Sequence, residues 1–469
     1  MTVPPPSVRV EPAIDQWSPG VAAHDLTDLI SLINDRAVRL GTAPLDDQPD
    51  RLIATGHQAQ LWHPGILAKD IAMDIAAERF GARKLHLIVD QDTNEAWRLD
   101  VPYVEDERLL VRSLLLADQK PGVPTGYQSP ADPKLLQRRL AGMESKLTGD
   151  LLRVLKKLPD CESLAEQVAV VLARLKQPLA GDVPIMLVSD LVGWPFYEAI
   201  VTRMLNEVAD CADAYNKAVA QHPGAGMAPM VISRELVELP LWGVCWNEPR
   251  RRVFVDLADS EPVFVFEDGE PIDRNQWALL PRALLLTAVM RSAFCDLFIH
   301  GTGGLVYDQI TEKWWRSWAG QELAPMAGVT ADVFLNFSAP VADSADLTRA
   351  VWRRHHLPHN LDRVLTLNGQ AVQRKHELLA HMDDDRDKAR RREAFRELKK
   401  INRELMQIYT DKLQGADRAL DLARAGVVNA AIARRRDWCF ALYPPESLQG
   451  LRRLIESGRP SPGEVQSTA

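Results

Sequence analysis

The sequence predicts an α/β protein built on a parallel sheet, with a helical insertion and a C-terminal helical coiled-coil region. Three observations carry this. Residues 52–100 read as strand, polar loop, helix, strand, polar loop. Four strand-like runs, ending at Thr55, Val89, Val188 and Ile299, each give way to polar or glycine-rich loops. From about Val372 the apolar spacing changes to that of long helices.

In chain order, residues 1–20 form an extended, proline-rich lead-in, and Leu26 to Leu40 has the helical spacing that packs on a sheet. Leu52 to Thr55 is a short apolar strand broken by Gly56. Pro64 suits a first helical turn, where its missing N–H costs nothing. Ile66, Leu67, Ile71, Ile75 and Phe80 then recur at helical spacing until Gly81. Leu85, Leu87 and Val89 make a second strand, closed by Asp90. A right-handed crossover puts both strand exits on one edge of a parallel sheet. That edge is where open α/β sheets bind ligands.

Val101 to Leu116 reads as a strand or hairpin, and Pro121 to Pro133 as loop. Helix follows over Lys134 to Leu158, and again from the capping box Ser163-Leu164-Ala165-Glu166 to about Leu175. The sheet resumes at Pro184 to Asp190. A helix through Phe196, Ile200, Met204 and Val208 continues until His222-Pro223-Gly224. Short β-rich runs recur between Met230 and Phe266, then helix over Pro281 to Ser292. Asp296 to His300 is a last strand, followed at once by Gly301-Thr302-Gly303-Gly304. Near the C-terminus, Leu398, Ile401, Leu405 and Ile408 form a short heptad seam. Gly415 is placed as its interruption, and folding back on the chain competes with dimerisation. Leu448 to Ile455 adds a small helix. The implied domains are 1–102 and 181–370 for the two parts of the core, the latter with a β-rich connecting segment. Residues 103–180 form a mainly helical connecting insertion, 371–456 the helical coiled coil, and 457–469 a disordered tail.

The 469 residues hold two or three domains and carry a formal net charge of −8 from 56 basic and 64 acidic residues. That balance excludes a global attraction for nucleic acid or an anionic membrane. The basic run Arg386 to Lys400 reads as a solvated helix face. Five cysteines without a CxxC pair exclude a disulfide framework and fit a reducing compartment. With no signal-peptide pattern and no apolar run of roughly 18 residues, a cytoplasmic protein is expected.

Candidate chemistry sits at the strand exits. Thr55-Gly56-His57-Gln58 with His63 lets backbone N–H groups and a helix N-terminus approach an anion. Either histidine could donate to it or transfer a proton, against the competing reading that both only tie down the loop. Lys69, in the first turns of the next helix, reaches either a bound phosphate or solvent. Asp90-Gln91-Asp92 with Asn94 and Glu95 could hold a hard cation, orient an amine or act as base. His300-Gly301-Thr302-Gly303-Gly304 with Tyr307 and Asp308 suggests close backbone approach by a ligand. None of the cysteines stands beside a histidine, so a nucleophilic cysteine is not expected. Trp314, Trp315 and Trp318 read as a helix-packing stripe.

These residues carry a resemblance. TGHQAQLWHPGILAKD resembles the TGQQxGLFTGPxYTxYK segment of the bacillithiol biosynthesis cysteine-adding enzyme (BshC) family. VDQDTNEAWRLDVP is similar to its EDHDxxE segment and FIHGTGGLVYD to its GGPGExxY segment. RRRDWCFALYPPESLQGLRRLIE resembles its C-terminal ending. The resemblance implies a Rossmann-like, nucleotidyltransferase-type core and a C-terminal coiled coil used for dimerisation. It also implies a ligase that joins cysteine to the amine of a sugar conjugate, using an activated carboxylate and hence a nucleotide. Thr55, Gly56, Gln58, Asp90, Asp92, Glu95, Gly301, Gly303 and Tyr307 match the motifs, and Lys69 matches after a two-residue gap. Gln91 replaces a histidine, His57 a glutamine, and His300 and Gly304 stand where the family has Gly and Glu.

The expected function is therefore a ligase of this type, adding an amino acid such as cysteine to an amine-bearing sugar conjugate. A nucleotidyltransferase acting on another metabolite and a non-catalytic ligand-binding dimer are the alternatives. Catalytic candidates are His57, Asp90, Asp92, Glu95 and His300. Binding candidates are Thr55, Gly56, Gln58, His63, Lys69, Asn94, Gly301, Thr302, Gly303, Gly304, Tyr307 and Asp308, with no dedicated metal ligands. The cofactor is open, with a nucleotide such as ATP and Mg²⁺ as candidates. Partners are small-molecule substrates and a second copy of the chain, with neither nucleic acid nor membrane.

Overall fold

A computed structural model describes residues 4–20, 25–45, 50–141, 148–258, 261–384 and 386–457. Strand β1 (Ser7–Glu11) and helix α1 (Thr27–Leu40) precede the unit β2 (Leu52–Gln58), α2 (Pro64–Phe80), β3 (Arg83–Val89). Next come a hairpin, β4 (Arg98–Glu105) and β5 (Arg108–Leu115), and helices α3 (Pro133–Ala141), α4 (Gly149–Leu155) and α5 (Leu164–Ala180). Strand β6 (Ile185–Leu187) leads to α6 (Pro195–Asn206) and α7 (Val208–Ala220). Strands β7 (Leu236–Val244), β8 (Arg251–Asp256), β9 (Val263–Phe266) and β10 (Ala278–Pro281) are followed by α8 (Ala283–Val289). Then β11 (Leu297–His300), α9 (Thr302–Ala319) and β12 (Met326–Asp332) complete the sheet. The C-terminal helices are α10 (Ser344–Leu365), α11 (Gln370–Asp384), α12 (Lys388–Ile408), α13 (Thr410–Ala433) and α14 (Pro445–Ser457).

The chain divides into two compact units. The larger comprises Pro5–Val101, Ser113–Val333 and the segment from Arg436 onward. Its centre is a six-stranded sheet in the order β1-β12-β11-β2-β3-β6, parallel throughout except for the edge strand β1. The chain walks outward from β2 to β3 and β6, then returns to the other side of β2 for β11 and β12. This is a Rossmann-like α/β sheet whose direction of winding reverses between β2 and β11. Side chains alternate across it: Leu52, Ala54, Leu85 and Leu87 join one core with α1, α6, α7, α8 and α9. Helix α2 lies against β2, β3, β11 and β12, with α5 and α14 packed on it. It is buried along nearly its whole length from Pro64 to Ala77, its charged Lys69, Asp70 and Asp74 included. Its ends are set locally, by His63 and Pro64 at the start and by Gly81 at φ 62° at the end. A second, antiparallel sheet has the order β10-β7-β8-β9.

The smaller unit contains Pro102–Arg112 and Phe334–Arg435. Its helices α10–α13 enclose Leu357, Leu361, Leu378, Ile401, Leu405 and Ala416.

Several elements differ from the sequence reading. The lead-in supplies β1, paired from Ser7 to Glu11 with β12. The run Pro184 to Asp190 yields only a three-residue strand before a 3₁₀ turn at Val188–Leu191. Long helices begin at Ser344 rather than Val372; Pro358 and a non-helical Asn360 kink α10 and mask its periodicity. Gly415 does not interrupt the C-terminal helices, because the chain turns earlier, at Tyr409, and α13 runs through it. Ile401 and Leu405 of the seam are buried among the unit's own helices, whereas Ile408 is 70% exposed. The tail expected to be disordered lies, from residue 458 on, outside the described residues.

Candidate functional site

The reversal between β2 and β11 is the point where an open parallel sheet leaves a crevice at its carboxyl edge. A cavity of about 350 Å³ occupies it. Strand β2 enters the wall as Gly56-His57-Gln58, β3 as Val89 with Gln91 and Asp92, and β11 as His300. Two helices begin here. His63 Nδ1 accepts the Gly65 N–H at 3.1 Å and so caps α2. Gly301 precedes α9 without any side-chain cap, which leaves the first N–H groups of that helix for other acceptors. A Cβ on Gly65 would stand 2.9 Å from the Ala331 carbonyl and the Thr330 hydroxyl, so the α2 start packs tightly on β12. A Cβ on Gly301 or Gly303 would meet nothing within 4 Å. Those two glycines face open space.

The wall favours negative charge. Lys69 is buried, and its ammonium donates to the Gly56 carbonyl at 2.5 Å. Burial lowers its pKa to about 8, although Asp70 opposes the shift. Burial also holds His57 well below the usual histidine value, and the Lys69 charge adds to this. His63 is lowered too, by burial and then by Arg436. Arg436 lines the cavity while paired with Asp332. Behind the wall, buried Asp70 accepts from Lys176 and pairs with His86 Nδ1 at 2.9 Å. Trp62 stacks on that imidazole, with ring centroids 4.5 Å apart. Burial lowers His86 to about 4 despite the Asp70 charge.

His300 belongs to a second polar layer. Its Nε2 lies 3.0 Å from Asp308 Oδ2, and Asp308 also accepts from the Thr287 hydroxyl and from Arg291. Burial alone would raise the Asp308 pKa; its bonds to His300 and the Arg291 charge hold it well below the carboxylate range. A carboxylate only accepts, so Nε2 carries a proton and donates to it. Gly304 permits this packing, because a Cβ there would fall 2.4 Å from His300 Nδ1.

The acidic stretch divides. Asp92 lines the cavity and is tied to Arg250 at 2.6 Å, whose guanidinium stacks 4.2 Å from the Trp242 ring centroid. Asp90 is fully buried off the wall. It accepts from the Ser189 N–H and hydroxyl, and a Cβ on Gly126 would collide with it. Burial raises its pKa to about 6. Asn94 donates to the Ala59 carbonyl, and Glu95 is exposed and paired with Arg98.

The cavity thus gathers Gly56, His57, Gln58, His63, Lys69, Asp92, His300, Gly301, Thr302, Gly303, Gly304 and Tyr307 of the predicted set. It does not gather Thr55, Asp90, Asn94, Glu95 or Asp308. Thr55 instead bonds the Ile299 carbonyl and ties β2 to β11. The sequence reading assigned no role to Trp242, Thr287, Thr330 or Arg436, which also line it, and placed Gln91 between the two acids without a role of its own. Gln91 had a local signal in its place between two acids at a strand exit. Trp242 had none, since it arrives from the antiparallel sheet.

No family and no curated protein matches this chain. Among solved structures, it is similar to a Campylobacter jejuni protein provisionally named an arginyl-tRNA synthetase. Identity is 11% over 92% of this chain and 98% of that one, with a TM-score of 0.25. A likeness at that level carries no argument about fold or function.

Among the described residues, no group of three or more His, Cys, Asp or Glu side chains is assembled to hold a metal ion. The donors present suit an anion instead: the unengaged N–H groups at the start of α9, the Lys69 ammonium and Arg436. A phosphate or carboxylate fits that set, and a phosphate could carry its own Mg²⁺. Among the described residues, Asp92 is the only carboxylate on the wall.

Proposed function

We propose that this chain is a ligase of the cysteine-adding type, joining an amino acid to the amine of a sugar conjugate. The observation that supports it most is the meeting, at one sheet reversal, of an uncapped helix start, a buried lysine and a single carboxylate. In this reading the anionic group of the substrate sits on the first turn of α9 and on Lys69. Asp92 receives the ammonium of the acceptor. The ammonium first gives one proton to solvent and becomes a nucleophile; amide formation then makes the C–N bond, expels the leaving group from the activated carboxylate and releases a second proton. His57, kept neutral by burial, or His300, oriented by Asp308, takes that proton. A nucleotide such as ATP would supply the activation, with Lys69 and the α9 N-terminus holding its phosphates and Mg²⁺ travelling with them. The motif resemblance to the bacillithiol family supports cysteine as the first amino acid to test. The roles of Asp90 and Glu95 become structural.

The decisive experiment is mass spectrometry of thiols and metabolites in cells with and without the protein, followed by amino-acid-dependent nucleotide consumption in vitro. Asp92→Asn should abolish that turnover and leave the fold intact. Full retained activity removes Asp92 from the site, and no turnover in any substrate screen removes the ligase. The five cysteines, all free, support a reducing cytoplasm as its location. Pairing of two copies through the C-terminal helices belongs to the same proposal, anchored on exposed Ile408. A monomer of the unaltered chain in light scattering overturns it. One observation favours a non-catalytic binder instead: Arg250 already neutralises Asp92. Ligand binding without turnover would decide for it.

A further inference from the structure

One side chain in the cavity wall is left incomplete. Gln91 is 2% exposed and lines the crevice. Its Nε2 donates to the Pro281 carbonyl at 3.1 Å. A carbonyl only accepts, so this bond fixes the amide orientation. Oε1 is thereby turned away from Pro281, and it is buried with no hydrogen-bond partner. The main chain holds the residue as firmly, since the Gln91 carbonyl accepts from Arg250 at 2.8 Å. A buried acceptor without a donor costs about 1–3 kcal/mol, and such a residue in a cavity wall points to a donor brought by a ligand.

The surroundings narrow the class of donor. Trp242, on the same wall, carries two guanidinium groups on its ring, Arg250 at 4.2 Å and Arg282 at 5.0 Å from the centroid. Burying an ammonium against a neutral amide oxygen costs far more than burying a neutral N–H group there. We infer that Gln91 Oε1 accepts a hydrogen bond from a neutral N–H group of the ligand, a carboxamide or an amino group on an aromatic ring. The inference rests on the anion seat proposed above, which takes the other end of the same molecule.

The test uses matched ligands that share a phosphate and differ at the N–H group. AMP against purine ribonucleoside 5′-monophosphate, and CMP against its 4-deamino analogue (the pyrimidin-2-one riboside 5′-monophosphate), remove a ring amino group without adding an N–H. Nicotinamide mononucleotide against nicotinic acid mononucleotide exchanges a carboxamide for a carboxylate. Binding is measured by calorimetry on the full chain, with inorganic phosphate as a separate arm. In at least one pair the N–H-bearing member binds about tenfold or more tightly, and Gln91→Met removes that preference while leaving phosphate affinity unchanged. The pair that discriminates tells the ring amino group from the carboxamide. Equal affinities within every pair, no binding of any nucleotide, or a preference that survives in Gln91→Met overturns the inference. The comparison on the unaltered chain decides even where Gln91→Met does not fold. Failure of the anion seat is read separately, as phosphate binding that Lys69→Met leaves unchanged.

Discussion

Lys69→Met separates a functional lysine from a structural one. Methionine matches the length of the stem and keeps its apolar contacts while removing the charge. In the folded chain the Lys69 pKa falls from 10.5 to about 8, chiefly through burial. Carrying the ammonium at pH 7 therefore costs about 3 kcal/mol relative to the unfolded chain. The folded state binds fewer protons than the unfolded state between pH 8 and 10.5, so stability rises with pH across that window. Below pH 8 the cost is fully present, and by pH 9.5 it has shrunk to about 1 kcal/mol. Methionine also removes the donor to the Gly56 carbonyl, a loss of about 1 kcal/mol that does not depend on pH. The variant should thus be more stable than the parent by about 2 kcal/mol at pH 7, and nearly equal to it at pH 9.5. Urea unfolding at the two pH values reads this directly. A stability difference that does not change with pH would show that Lys69 is not a strained buried cation. Phosphate affinity should fall in the same variant; if it does not, the lysine serves the fold alone.

Two glycines should respond in opposite ways. Gly65→Ala pushes a Cβ against the Ala331 carbonyl and Thr330 and should cost about 1–3 kcal/mol in thermal unfolding. Gly303→Ala meets open space and should stabilise the helix start by about 0.5 kcal/mol while weakening phosphate binding; unchanged affinity means no ligand approaches that backbone. His86, lowered to about 4, contributes stability above pH 6.5 that is lost as pH falls toward 4. His86→Gln should flatten that acid limb in a urea series, and equal slopes would refute it. Asp90 runs the other way, since its value of about 6 makes protonation favour the folded state as pH falls from 6 toward 3.8. Glu95→Gln, at an exposed ion pair, should leave both stability and any activity within the range expected of surface pairs, about 1 kcal/mol or less.

The parallel sheet was legible because its strands are continuous apolar runs and their exits are marked by glycine or acids. Gly56 and His300-Gly301-Thr302-Gly303-Gly304 were therefore recognisable as two parts of one edge. The direction of side chains beyond a strand end was not legible. Asp90 turns into the protein toward Ser189, while Gln91 and Asp92 face the cavity; no spacing rule separates them once the strand period ends. Trp242 and Arg436 reach the wall from segments far along the chain, and only tertiary packing brings them there. The heptad seam was visible, but its period alone does not say whether Ile401 and Leu405 meet helices of the same chain or of another.

The wall of this crevice carries several unfavourable terms. A buried lysine carries a charge with one carbonyl as its hydrogen-bond partner. Half-buried His57 is held toward its neutral form, and the Gln91 acceptor is left without a donor. Each of these lowers stability, and all three lie on the wall of one cavity of about 350 Å³. Behind them Asp70 Oδ2 and His86 Nε2 are also buried without partners, while other polar groups are engaged. Asp308 is held by His300, Thr287 and Arg291, and Asp90 is held by Ser189. The wall groups are held in place by these contacts before any ligand arrives. A pocket built to bind or transform a charged molecule gains from this, because donors already oriented need not reorganise when the charge enters.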